Sequence, residues 1–161
     1  MALTIAQLKA LNLYYLTGAD LLQFCPGQLL IKQYEVDNNS LIAGANFAYA
    51  EMISNCINRY DIKTELSLVG ADTPDLRSVF TVKLTALLAI AAILGNAQAI
   101  SEYLGEQIKY AKKDLLAIRN GQLNLPLAPP PSLGNDPVTG CPLPYPGSEG
   151  ELVCSNFSTL G

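Results

Sequence analysis

The sequence contains no histidine and no tryptophan. Without histidine the chain lacks the usual general base near neutral pH and the commonest transition-metal ligand. Serine–histidine and cysteine–histidine nucleophiles are excluded on the same ground. Phosphate-cradling loops are missing too: neither G-x-G-x-x-G nor G-x-x-x-x-G-K-[ST] occurs, and no G-x-S-x-G elbow is present. Cys25, Cys56, Cys141 and Cys154 never form a C-x-x-C pair. They read as free thiols in a reducing cell, with a Cys141–Cys154 bridge across the tail as the alternative. The longest uncharged apolar run, residues 84–95, is well short of the roughly 20 residues of a membrane span. Met1-Ala2-Leu3-Thr4 lacks a charged leader, and Gln7 and Lys9 interrupt the apolar residues after it, so neither a signal peptide nor a membrane partner is expected.

Positive charge is also scarce. The net charge is −4. Residues 1–125 are nearly balanced, whereas residues 126–161 carry Asp136, Glu149 and Glu151 and no base. No basic footprint for nucleic acid is present. Carboxylate pairs exist, but their contexts are structural. Asp72 and Asp75 read as a helix start, Glu102 and Glu106 as a solvated helical face, and Asp136 lacks calcium-loop spacing. Lys109, Lys112 and Lys113 fit the negative end of a helix without invoking phosphate. The sequence therefore offers no catalytic residues, no cofactor site and no metal site, and a non-enzymatic protein is expected.

What is abundant is leucine and alanine, within a chain that is 50% hydrophobic. The fold class expected is all-α: a small bundle of three long and two short helices with an extended proline-rich C-terminal arm. Residues 1–16 form an N-terminal extension, 17–125 the helical domain and 126–161 the arm. Thr17 caps a short helix that Asp20 complements, and Pro26 opens a second one. Apolar residues from Leu41 to Tyr60 recur at three-to-four spacing, which predicts a long helix starting at Asn39 or Ser40. Residues 61–72 connect, with Glu65–Val69 as a short strand. The second long helix is predicted to start at Asp72–Pro74 and to be apolar all round from Leu84 to a stop at Gly95. The third spans Ala97 or Ser101 to Arg119, with Ile100, Tyr103, Leu104, Ile108, Ala111, Leu115 and Ile118 inward and Asn120-Gly121 as its terminus.

Eight of the ten prolines lie in residues 126–161. Such a segment holds no helix and buries little on its own. It nonetheless carries apolar residues that a plain spacer does not need. Pro129, Pro130, Pro131, Val138, Leu143, Tyr145, Leu152, Val153 and Phe157 are the candidate interaction residues, on an arm that orders against a neighbouring surface. The tyrosines divide between core and interface in a way the sequence leaves open.

The order of local patterns resembles a known family. Thr17-Gly18-Ala19-Asp20-Leu21 opens a short helix, and Asn58-Arg59-Tyr60 closes a long one. Pro74-Asp75-Leu76-Arg77 then precedes the alanine- and leucine-rich helix, and Ile118-Arg119-Asn120-Gly121-Gln122-Leu123-Asn124-Leu125 ends the last. Residues 17–125 thereby resemble the head–tail connector (adaptor) subunits of tailed bacteriophages, of the Mu-type head–tail joining kind. The first 15 residues and the tail depart from that pattern, and Lys83 stands where arginines cluster in the family. The resemblance implies a structural virion protein of the neck, made in the host bacterial cytoplasm. It implies a homo-oligomeric ring, usually twelvefold, docked on the portal protein and joined to a downstream connector or tail protein, with DNA passing through the channel without sequence recognition. A soluble helical adaptor whose proline-rich tail binds a partner module is the alternative.

Overall fold

A computed structural model describes residues 3–95 and 100–130. Among them the chain is mostly helical, with seven α-helices and one two-stranded hairpin. Thr4 and Gln7 cap each other across the start of α1 (Ile5–Lys9). Strands β1 (Asn12–Leu13) and β2 (Leu16–Thr17) pair antiparallel, Asn12 opposite Thr17 and Leu13 opposite Leu16. The turn places Tyr14 at φ 68°, a left-handed conformation unusual for a bulky residue. Its N–H donates to Asn12 Oδ1 at 2.9 Å.

Thr17 and Asp20 form a reciprocal cap on α2 (Gly18–Leu22). Pro26 stands at the N-cap of α3 (Gly27–Val36), one position before the first helical residue. The three long helices are α4 (Ser40–Cys56), α6 (Val79–Leu94) and α7 (Glu102–Arg119), with α5 (Ile62–Leu66) between the first two. Helix α6 is the axis of the molecule. Every residue from Leu84 to Ile90 is buried, as are Ile93 and Leu94, because the helix has no polar face to turn to water. Helices α4 and α7 pack along its long sides, and α2 and α3 pack against other parts of its surface. The α4–α6 crossing is close at Gly44, where an added Cβ would lie 2.3 Å from Ile93 Cγ1.

The structure corrects several sequence expectations. The N-terminal extension, residues 1–16, packs into the body in its described part: Leu8, Leu13, Tyr15 and Leu16 lie within the core. The Glu65–Val69 strand is absent, since Asp61 Oδ1 accepts the Thr64 N–H and starts α5 instead. The second long helix begins at Ser78, not at Asp72–Pro74. Asp75 folds its carboxylate onto the Arg77 N–H and guanidinium, and Ser78 Oγ takes the Thr81 N–H as the cap. Leu76 and Val79 are consequently exposed at 73% and 84%. The third long helix starts at Glu102 with Ser101 as cap, and Gly95 and Gly121 end their helices with positive φ, in line with the reading from sequence. Tyr103, placed on its inner stripe, faces solvent. No helix among the described residues is long and apolar enough to cross a membrane.

Substituting Gly44→Val is expected to force apart α4 and α6. Overpacking of this kind costs about 1–3 kcal/mol. The expected result is a lower thermal midpoint by circular dichroism with helix content retained.

Candidate assembly surface

Two polar nodes tie the elements to one another, the first buried and the second partly exposed. The first gathers around Arg77. Its Nη1 donates to Tyr15 O at 2.5 Å and to Asp20 Oδ2 at 2.8 Å, and its Nε and Nη2 engage Asp75 at 2.8 and 2.7 Å. The guanidinium also lies 5.6 Å from the centre of the Tyr15 ring, a cation–π distance. Tyr15 in turn donates its hydroxyl to Glu65 Oε1 at 2.7 Å, and the same oxygen accepts the Ser78 N–H. One connected set thus ties the hairpin, α2 and α5 to the start of α6. Gly70 completes it, because a Cβ there would meet Arg77 Nη1 at 2.6 Å and Tyr15 O at 2.7 Å. The carboxylates beside it hold the Arg77 guanidinium more basic than usual, against the opposing effect of burial. Burial, followed by the Glu65 hydrogen bond, pushes Tyr15 far up from the ordinary phenol value. Tyr49 closes the hairpin from the other side. Its hydroxyl donates to Leu13 O and accepts the Leu16 N–H, and burial pushes it up to about 12.

The second node forms where α4 and α7 end. Arg59 donates to the carbonyls of Ile118 and Leu123 and to Asn124 Oδ1. It thereby adds a side-chain donor to the Ile118 carbonyl, which also accepts the Gly121 N–H, and ties the end of α7 to the segment that follows it. Tyr60 donates to Asn124 Oδ1 at 3.2 Å and accepts the Leu125 N–H at 3.0 Å. Leu125 is buried, Leu127 packs on the core, and Ala128 O accepts the Asp61 N–H at 2.9 Å. The first residues after Pro126 are therefore fastened to the body, which moves the root of the arm from Pro126 to about Pro129.

Of the candidate interaction residues, Pro129 is exposed and Pro130 half-buried at that root. Pro131, Val138, Leu143, Tyr145, Leu152, Val153 and Phe157 lie outside the described residues, as do Cys141 and Cys154. The structure adds a surface that sequence reasoning missed. Phe47, Glu51 and Asn55 of α4, Leu88, Ala91 and Ala92 of α6, and Lys112, Leu115 and Leu116 of α7 line an open groove of about 560 Å³. Phe47 and Leu116 are 54% and 55% exposed. Both are large apolar residues off the inner stripe of their helices, and that displacement was the signal to notice. Tyr103 and Tyr110 are exposed on α7, whereas Tyr15 and Tyr60 belong to the core.

Cys25 and Cys56 are buried, and burial pushes both thiols up to about 11, which keeps them protonated and unreactive at neutral pH. Among the described residues no three cysteine, aspartate or glutamate side chains converge as a metal site. Comparison with protein-family models, curated proteins and solved structures finds no match to this chain.

Replacing Arg59 with alanine should unfasten residues 118–124 from the end of α4 and cost about 2 kcal/mol, the scale of charged hydrogen bonds. Faster hydrogen exchange at the Asp61 and Leu125 amides, with a lower urea midpoint, is the expected signature. A second prediction concerns Asp75, whose carboxyl is held down to about 2, chiefly by its hydrogen bonds to Arg77. A depressed carboxyl stabilises the fold above its unfolded value near 3.8 and loses that contribution as pH falls through about 2. Asp75→Asn should therefore lower stability at neutral pH, and the difference from wild type should vanish over that acid window. Solvent screening of this half-exposed group limits the effect to about 1 kcal/mol.

Proposed function

We propose that this chain is a structural subunit of a bacteriophage head–tail connector ring. It docks on the portal protein, joins it to the next neck or tail protein, and surrounds a channel through which DNA passes. The observation that supports this reading is where the resemblance-bearing residues sit. Thr17, Asp20 and Arg77 meet in one buried node, and Arg59, Tyr60, Ile118, Asn124 and Leu125 meet in a second, partly exposed one. The shared residues are those that lock the helices to one another, and their order along the chain gains weight from that shared task. The absence of a basic face suits a channel wall that must release DNA, since dense phosphate contacts would hold it.

In this role the helical body is rigid and the arm beyond Pro130 supplies adaptable contact. Prolines reduce the conformational freedom lost when such an arm settles on a surface. The fastened root at residues 123–128 makes Pro130 the natural place to cut.

A chain ending at Pro130 is expected to retain its helical spectrum and thermal transition but to lose incorporation into portal-bound assemblies, read by co-sedimentation with purified portal. Undiminished incorporation of the truncated chain would contradict the role given to the arm. Failure of the full chain to associate with portal at all would contradict the connector reading.

A further inference from the structure

The buried stripe of α7, Leu104–Ile108–Ala111–Leu115–Ile118, separates two exposed flanks. On one side Lys112 and Leu116 border the groove that also holds Phe47 and Glu51. On the other side Gln107, Tyr110 and Asp114 border a shallow depression shared with Phe80 and Lys83 of α6. Spacings of three and four along α7 keep each set on its own side. Each flank combines large exposed apolar side chains with one acid and one base. The groove flank offers Phe47 and Leu116, with Glu51 on α4 and Lys112 on α7. The opposite flank offers Phe80 and Tyr110, with Lys83 on α6 and Asp114 on α7. None of these four charged groups belongs to an ion pair among the described residues.

We propose that the two flanks of α7 are complementary halves of one head-to-tail contact, the occupant of each groove being a second copy of this chain. Phe80 and Tyr110 of one copy enter the groove walled by Phe47 and Leu116 of the next. The charges then match crosswise, Glu51 against Lys83 and Lys112 against Asp114. Two unlike faces on one subunit make a heterologous contact, and repeated copies of such a contact close into a ring when the rotation permits. An isologous dimer would also set acid against base across its two-fold axis, but it would use one flank only and leave the other open. The proposal deepens the ring reading and rests on it.

Two full-length variants test it by sedimentation velocity. Phe47→Asp with Leu116→Asp disables the groove flank, and Phe80→Asp with Tyr110→Asp disables the opposite one. Each variant alone should be monomeric, while an equimolar mixture should form a dimer that does not extend, since one good flank remains on each. Self-association of either variant alone, or a folded mixture that stays monomeric, would overturn the proposal. Circular dichroism checks that both variants are folded. Should either lose its fold, the surface charges carry the test. Glu51→Lys should weaken association of the otherwise wild-type chain roughly tenfold, within the range of interfacial charge pairs, and adding Lys83→Glu should restore it. Loss without restoration, or no loss, counts against the pairing. Wild-type association that ignores every substitution rejects these flanks and leaves the ring reading standing. A wild-type chain that stays monomeric with and without portal rejects both.

Discussion

Taking a guanidinium out of water is costly unless its donors and charge are answered. Arg77 is shut away from solvent and is answered by a backbone carbonyl, two carboxylates and an aromatic face. Those partners come from the hairpin, from α2 and from the turn before α6. The node can form only when all three segments are in place, so its satisfaction and the assembly of the N-terminal third are one event. Glu65 extends the same logic through Tyr15 and the first amide of the α6 cap. Aliphatic packing supplies most of the driving force for burial, but leucine against leucine leaves orientation loosely defined. The Arg77 node sets which way the hairpin and α2 face the long helices.

That division of labour explains what was legible in the sequence. The periodicity of α4 and α7, the all-round apolarity of α6 and the helix stops at Gly95 and Gly121 are local signals, and they place three long helices, with the start of α6 and the end of α4 several residues off. The Thr17–Asp20 cap is local as well. What stayed hidden depends on partners distant in sequence. Pro74-Asp75 looks like a helix start until Arg77, held by Asp20 and Tyr15, draws Asp75 into a turn. Glu65–Val69 looks extended until Asp61 caps a helical turn there. Leu8, Leu13 and Leu16 look ambiguous because each belongs to an element only a few residues long, whose existence depends on the core it fills. The groove was unread for the opposite reason: Phe47 and Leu116 disobey the apolar stripe by which an inward helix face is recognised.

Helix α6 constrains the outside of the molecule as much as the inside. A helix without a polar face needs cover on every side, and a chain of this size has few elements to provide it. Helices α4 and α7 meet over α6 incompletely, leaving Leu88, Ala91 and Ala92 at the floor of an open groove. The open apolar groove is thus a by-product of having so apolar a central helix in so small a body.

The clasp made by Arg59 and Tyr60 has a mechanical corollary. Because residues 123–128 are stitched to the ends of α4 and α7, tension applied at Pro130 does not peel the last helix outward from its tip. The load enters both long helices together, through a backbone amide, a phenol and a guanidinium.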